Sequence, residues 1–312
     1  MPVSLDGVMQ RVRLSQDGPD FSRLVYGTWR FLDDPASASP EAILERLKAC
    51  LDLGITTIDT AEIYGLYKVE EVLGQALALD PGVRAKLQVV TKNGIYVPCE
   101  FHPERTVAHY NATAARLVKS AEKSLRFLGV ETLDLLLVHR PDWLTSVDET
   151  AEGLNQLLNA GKIRSAGVSN YNVHQFEALN SRMDQPLVTN QVEFSLMHME
   201  PIYDGVFDQC QRLRVKPMAW SPLAGGRMMS GSSDPGAVRL HAKAAKLGLK
   251  YDNATLDQLA YAWILAHPAQ ALPVIGTNKI ERIKSVAKAA EMTLDREDWY
   301  ALWEAAKGHG VP

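Results

Sequence analysis

Short aliphatic and β-branched runs recur along the chain: LVYGT (24–28), ITTID (55–59), LQVVTK (87–92), LDLLLV (133–138), IRSAGVS (163–169), LVTNQV (187–192), VKPMAW (215–220) and ALPVI (271–275). Their length and composition predict eight strands. Between them, apolar residues fall at three- and four-residue steps, the spacing of a helix face. In ILERLKACLDLG, Ile43, Leu47 and Leu51 share one face and Gly54 is a stop; Leu125, Leu128 and Gly129 end a second such segment. Strands alternating with helices predict βαβ units and a parallel sheet. Eight units in 312 residues fit a (β/α)8 TIM barrel formed as one domain over 1–312. An open doubly wound sheet would carry GxGxxG after its first strand, where this chain has Gly27-Thr28-Trp29.

Two segments lie outside the repeat. MQRVRL and DFSR flank Gly18-Pro19, which reads as an N-terminal hairpin able to plug the barrel's N-terminal mouth. Two extra C-terminal helices are expected at about 279–290 and 295–307, the second opened by Asp295 as N-cap. The longest irregular stretches, 93–110 and 221–236, each follow a strand. Both are therefore expected on the C-terminal face, where barrel enzymes carry their chemistry.

Composition narrows the class. The chain is 46% hydrophobic and 22% charged, with net charge −4. Mild acidity with scattered Lys and Arg offers nucleic acid no basic stripe. No run approaches the roughly 20 apolar residues of a membrane span, and the start, MPVSLDGVMQRVRL, lacks a signal peptide's apolar core. Cys50, Cys99 and Cys210 are far apart, which predicts neither disulfides nor a metal site and suits a reducing compartment. The expectation is a cytoplasmic protein without nucleic-acid or membrane partners.

Polar residues then stand out at strand ends. Asp59 closes the second strand and Tyr64 follows it in IDTAEIYG; Lys92 closes the third, and His139 follows the fourth in LLLVHRPD. Singly, each has a bland reading: a cap, a solvated lysine, a structural histidine. Parallel strands lie about 4.8 Å apart, so side chains at neighbouring ends can converge on one pocket. A lysine paired with an aspartate can stabilise a phenolate and lower a tyrosine's pKa from about 10. Such a tyrosine serves as a general acid, and a histidine opposite can hydrogen-bond a carbonyl oxygen. The set suits protonation of an oxyanion.

With these residues placed, the sequence from Arg23 to about Ala290 resembles the aldo-keto reductase superfamily, most closely its bacterial oxidoreductases with HRPD after strand four. The resemblance implies NADPH-dependent reduction of aldehydes and ketones, with Asp59, Tyr64, Lys92 and His139 as the catalytic tetrad. It also implies a cofactor site. GVSNY and TNQVEF place Ser169, Asn170 and Gln191 at the nicotinamide carboxamide, and MAWSPL puts Trp220 under the ring, where the family usually has Tyr. In SPLAGGR, Ser221, Leu223 and Arg227 are expected at the pyrophosphate. In GTNKIER, Gly276, Thr277, Lys279 and Arg282 are expected at the adenosine phosphate. Gly27, Thr28, Trp29 and Asp59 complete the cofactor-facing set.

Gly276 stands where some members carry a lysine on the 2′-phosphate, a departure that counts against NADP relative to NAD; NADP is still the first choice of cofactor and NAD the second. The chain ends soon after its last helix, which leads us to expect an open substrate pocket walled by Trp29, Tyr64, Tyr96, His139, Arg140 and the 93–110 loop. The partner implied is a small carbonyl compound, bound by a monomer or weak homo-oligomer. Two other readings stay open at this point. One is a cofactor-binding sensor or regulatory subunit with slow turnover; the other is a barrel isomerase or aldolase using Lys92 as a Schiff-base nucleophile.

Overall fold

A strand buried on both faces reads as an unbroken apolar run, because successive side chains point in opposite directions. The eight runs fold in this way. The structure, a computed structural model, describes residues 9–229 and 231–311. Expectations that fall on residues 1–8, on Ser230 within the 221–236 loop and on Pro312 lie outside the described residues. Twelve strands occur among the described residues. They are β1 (Arg11–Arg13), β2 (Asp20–Ser22), β3 (Val25–Gly27), β4 (Thr57–Asp59), β5 (Gln88–Asn93) and β6 (Ile95–Tyr96). The others are β7 (His109–Tyr110), β8 (Leu135–Val138), β9 (Ala166–Ser169), β10 (Asn190–Glu193), β11 (Met218–Trp220) and β12 (Leu272–Ile275). Strands β3, β4, β5 and β8 to β12 close into a barrel, with β12 pairing back onto β3. Each expected run matches one barrel strand, with β5 and β10 extending one residue beyond theirs, to Asn93 and Glu193.

Alternation along each strand sorts the side chains into two cores. Val25, Val90, Leu135, Leu137, Met218, Leu272 and Val274 fill the barrel, joined there by Val12, Leu14 and Phe21 of the β1–β2 hairpin. Ser22 Oγ accepts the amides of Thr56 and Thr57, where β4 begins. The hairpin therefore seals the N-terminal mouth. The opposite faces, including Tyr26, Ile58, Leu136, Val138 and Val168, pack under the surrounding helices.

Helices begin and end where their chemistry directs. Ser39 and Ser146 accept the amides of Ala42 and Glu149, Asn172 closes a capping box with Gln175, and Gly129 ends a helix in the left-handed region. The two extra helices run Ile280–Ala289 and Arg296–Lys307. Asp295 holds the N-cap position of the second, but its side chain makes no capping bond; it pairs instead with the Lys250 ammonium at 2.6 Å, which offers a full charge. The 93–110 stretch is not irregular throughout, because β6 and β7 pair there as an antiparallel ribbon. The 221–236 stretch contains a short turn of helix at Ala224–Gly226. Among the described residues, no helix is long and apolar enough to cross a membrane.

One close approach sets how the outer layer packs. A Cβ on Gly74, in helix Val69–Leu79, would lie 1.8 Å from the Phe127 carbonyl oxygen of helix Ala114–Leu128. No atom stands within 4 Å of a Cβ added at Gly276. Gly74→Ala should therefore lose about 1–3 kcal/mol of unfolding free energy through overpacking. Gly276→Ala should stay within about 0.5 kcal/mol of the wild type. Urea melts of the two variants check the contrast, and equal midpoints would contradict it.

Candidate active site

Asp59 shares an inward face with Thr57, because Ile58 between them turns outward to the helices. Beyond it the chain stays zipped to both neighbours: Thr28 N donates to Asp59 O, Thr60 N to Val90 O and Glu62 N to Lys92 O, at 2.9–3.0 Å. The turn that follows holds Gly65, Leu66 and Tyr67 at φ of 55, 53 and 74°. Three consecutive left-handed residues, two of them not glycine, are a strained arrangement of the kind found at functional sites. That turn positions the Tyr64 ring.

Lys92 faces inward from β5 and is 1% exposed. Its Nζ donates to Asp59 Oδ2 at 2.7 Å, Thr60 O at 2.8 Å and Tyr64 Oη at 3.0 Å. The other Asp59 oxygen, Oδ1, accepts from Gln191 Nε2 at 2.8 Å. His139 N donates to Asn93 O at 2.9 Å, which ties the residue to the end of β5. The His139 and Tyr64 ring centroids are 6.1 Å apart, and Trp29 meets Tyr64 edge-on at 4.9 Å. The four residues expected to act together do converge.

Their protonation follows from burial and charge. Burial pulls the Lys92 ammonium toward neutrality, but Asp59 and Tyr64 outweigh it by charge and hydrogen bonding, and Lys92 stays above its ordinary value. Tyr64 keeps part of its surface exposed, yet its hydroxyl is desolvated. Burial, the largest influence, raises its pKa; Lys92 pulls it down, Asp59 pushes it up, and the net displacement is upward. The expected lowering by Lys92 is therefore present but does not prevail. Burial, then the positive charges of Lys92 and Arg140, hold His139 well below the usual histidine range. It is neutral at physiological pH, with its Nδ1 buried and unpartnered.

The residues expected around the nicotinamide form a linked chain. Ser169 Oγ donates to Gln191 O at 2.8 Å, Asn170 Nδ2 donates to Ser169 Oγ at 2.8 Å, and Trp220 Nε1 donates to Asn170 Oδ1 at 2.9 Å. Asn170 sits at φ 60°, a conformation asparagine tolerates. Trp220 is half-buried at the barrel rim, with the Arg140 guanidinium 5.8 Å from its ring centroid. A flat indole fixed in this way and open to the rim suits a stacked heteroaromatic ring.

The remaining cofactor candidates form a rim. Gly27 ends β3 close against Val274, where a Cβ would come within 2.7 Å of Cγ1. Thr28 is buried with an unpartnered Oγ1, and Trp29 is 57% exposed. Ser221 and Leu223 are half-buried; Arg227 is exposed, with its Nε donating to Ala224 O. Thr277 Oγ1 accepts from Lys279 N, while Lys279 and Arg282 are exposed at the start of helix Ile280–Ala289. Arg30 and Asn278 were not singled out in the sequence, yet they join this rim. Arg30 Nη2 donates to Gly225 O at 3.2 Å, and Asn278 Nδ2 donates to Arg30 O at 2.5 Å. An arginine directly after Gly27-Thr28-Trp29 was the available signal.

Tyr96 does not wall the pocket. It is wholly buried, its Oη lies 2.9 Å from Ser120 Oγ, and His109 stacks on its ring. The β6–β7 ribbon turns it toward helix Ala114–Leu128. Beside Trp220 opens a cavity of about 360 Å³ lined by Arg140, Asn172, Glu193, His198 and Glu200 among others. Neither this cavity nor a larger depression of about 420 Å³ near Arg239 and His309 is lined by a tetrad residue; the first includes Arg140, Asn170 and Trp220 of the rim, and the second includes no rim residue.

Comparison with known proteins agrees with this geometry. The Aldo/keto reductase family model matches residues 23–307. The chain belongs to the aldo/keto reductase family. It is 44% identical to a 6-dehydroglucose reductase of Agrobacterium fabrum, over 97% of this chain and 100% of that protein. It is 41% identical to the oxidoreductase YdhF of Escherichia coli, over 98% and 100%. The solved aldo/keto reductase of Klebsiella pneumoniae, in complex with NADP and acetate, superposes with a TM-score of 0.75 at 29% identity, over 96% and 97%. This family member is an NAD(P)H-dependent oxidoreductase acting on carbonyl or CH–OH groups.

The buried pair gives a direct test. Losing one partner leaves an uncompensated charge, at a cost of about 3–5 kcal/mol. Asp59→Asn and Lys92→Met should each lose that much at pH 7, while the double variant recovers most of it. Lys92 titrates above its unfolded value of 10.5, so its contribution is complete at neutral pH and is lost only as pH rises through the folded value. Single variants as stable as the wild type in urea melts would contradict the pairing.

Proposed function

We propose that this protein reduces the aldehyde group of a small polyhydroxylated compound with NADPH, and that Tyr64 donates the proton. The observation that carries the reading is Lys92 Nζ, at 2.7 Å from Asp59 Oδ2 and 3.0 Å from Tyr64 Oη at once.

Trp220 would stack on the nicotinamide, with Ser169, Asn170 and Gln191 at its carboxamide. Ser221, Leu223 and Arg227 would hold the pyrophosphate, and Thr277, Lys279 and Arg282 the adenosine phosphate. When bound, the dinucleotide supplies hydride to the carbonyl carbon. The exposed cations at Lys279 and Arg282, and NADP in the Klebsiella relative, favour NADPH over NADH.

The chain's own residues handle the oxygen. Neutral His139 offers a ring N–H that can orient the carbonyl. Tyr64, its pKa raised by burial, keeps its proton until the oxygen gains negative charge and becomes the stronger base. The Lys92 ammonium, fixed by Asp59 and Thr60, then stabilises the phenolate left behind. Lys92 is poorly suited to Schiff-base chemistry: three oxygens hold its Nζ and it stays above its ordinary pKa, whereas such a nucleophile must be neutral. A slow sensor gains no support from a site with donor, counter-charge and orienting group all in place.

Two observations favour a hydroxylated substrate. The Agrobacterium relative is a 6-dehydroglucose reductase. The cavity beside Trp220 meets the tetrad only through Arg140 and Asn170, and there Arg140 offers a donor, Glu193 an acceptor and His198 either, a mixture suited to the hydroxyl groups of a substrate that extends past Trp220.

Steady-state kinetics with 6-dehydroglucose and with an unsubstituted aliphatic aldehyde, each with NADPH and NADH, test the reading. We expect the sugar aldehyde with NADPH to give the highest kcat/KM, and Tyr64→Phe to lower kcat by at least roughly 10²-fold while still binding cofactor. Normal turnover by Tyr64→Phe would sink the proton-donor assignment. Preference for the plain aldehyde, or for NADH, would sink the substrate or cofactor assignment.

A further inference from the structure

Behind Lys92, on the outer face of β5, lies a second polar cluster that the chemistry above leaves unused. Thr91 and Asn93 flank Lys92 and point toward helices Val69–Leu79 and Ala114–Leu128, a layer otherwise filled with apolar side chains. Two carboxylates are buried there, Glu62 at 5% and Glu70 at 2% exposure. Glu70 accepts from Thr91 Oγ1 at 2.5 Å and Ser124 Oγ at 3.0 Å. Glu62 Oε1 accepts from Ser120 Oγ at 3.3 Å, with Lys123 Nζ at 3.9 Å, and Oε2 faces Asn93 Nδ2 at 3.5 Å. Burying two acids where aliphatic residues would pack well is costly, which points to a role other than stability.

Glu62 differs from Glu70 in its place along the chain. It lies in the loop between Asp59 and Tyr64, and its amide donates to Lys92 O at 3.0 Å. Asn93 Nδ2 donates to the same carbonyl at 3.2 Å, and Asn93 O accepts from His139 N at 2.9 Å. Glu62 and Asn93 together thus join the three segments that carry Tyr64, Lys92 and His139. The side-chain bonds of Glu62 are long, so their effect should be moderate.

We infer that Glu62 is a positioning residue for carbonyl reduction. By bridging Asn93 and helix Ala114–Leu128, it holds the Tyr64 loop against the end of β5 and sets the Tyr64–Lys92 contact. The inference rests on the reading of Tyr64 as proton donor. The charges facing Glu62 are Lys123, Arg116 and Arg105, which favour its anion, and Glu70, which opposes it. Burial raises the pKa of both acids, that of Glu70 to about 7.

The test is a double-mutant cycle between Glu62→Gln and Tyr64→Phe. Glutamine keeps the size but only one acceptor oxygen, so it can serve Asn93 or the Ser120 and Lys123 side, not both. We expect Glu62→Gln to lower kcat roughly tenfold, the scale of a small misplacement, with the NADPH Kd within about twofold of wild type. The alkaline limb of its kcat profile should move to higher pH, because Tyr64 drawn away from Lys92 loses the influence that lowers its pKa. In the Tyr64→Phe background the same change should alter the residual rate less than about twofold, since the two act through one contact. An unaltered kcat and pH profile in Glu62→Gln, or the same loss in both backgrounds, overturns the inference. If Glu62→Gln does not fold, Ser120→Ala removes one donor to Glu62 and is read by the same cycle. Normal turnover by Tyr64→Phe alone would instead overturn the proton-donor reading; an impaired Tyr64→Phe beside an unaffected Glu62→Gln removes only the role of Glu62.

Discussion

The structure turns on one buried ion pair. Lys92 and Asp59, at 1% and 2% exposure, are taken almost wholly out of water, where an unpaired charge would be prohibitive. The arrangement is tolerable because the polar groups are served. Lys92 Nζ has three oxygen partners, and both Asp59 oxygens accept hydrogen bonds. Every neighbour is constrained in turn. Gln191 is fixed because its amide serves Asp59, and through the backbone of Gln191 so is Ser169, then Asn170 and Trp220. A single charge pair thus couples the Tyr64 side of the rim to the face expected to hold the nicotinamide.

The barrel makes this pairing possible. Parallel strands deliver their C-terminal ends to one rim, and side chains alternate strictly, so Asp59 and Lys92 point inward while Ile58 and Thr91 point outward. The hairpin closes the opposite mouth with Val12, Leu14 and Phe21, which leaves the rim as the accessible end. The turn after Tyr64 concentrates backbone strain in the segment that carries the proposed proton donor, and the surrounding hydrogen bonds hold it there.

Much of this was legible in the sequence, for a physical reason. Eight two-sided strands leave eight apolar runs, and a charged residue closing such a run conflicts with packing, which drew attention to Asp59 and Lys92. The tie from Gln191 to Asp59 was not legible, because the residues are 132 positions apart and no local pattern encodes the contact. Tyr96 was misplaced because a two-residue ribbon has too little periodicity to show which way its side chains turn. Asp295 occupies its expected cap position, but a nearby ammonium competes for its carboxylate. Glu62 resembles an ordinary loop acid until the helices folded over it are seen. The direction of the Tyr64 shift depends on burial against charge, a balance that composition does not contain.

The most direct test of the account is the protonation of Tyr64 itself. Tyrosine labelled with carbon-13 at Cζ reports phenol and phenolate as separate chemical shifts, and the Tyr64 signal is identified by its absence from Tyr64→Phe. In the wild type, Tyr64 should stay protonated through neutral pH and titrate above the ordinary value of 10.0. With Asp59→Asn and Lys92→Met combined, it should titrate at still higher pH, because the lysine's influence exceeds that of the aspartate. A Tyr64 that titrates at the same pH or lower once the pair is gone would contradict the central claim that Lys92 draws down the pKa of Tyr64, the proposed proton donor.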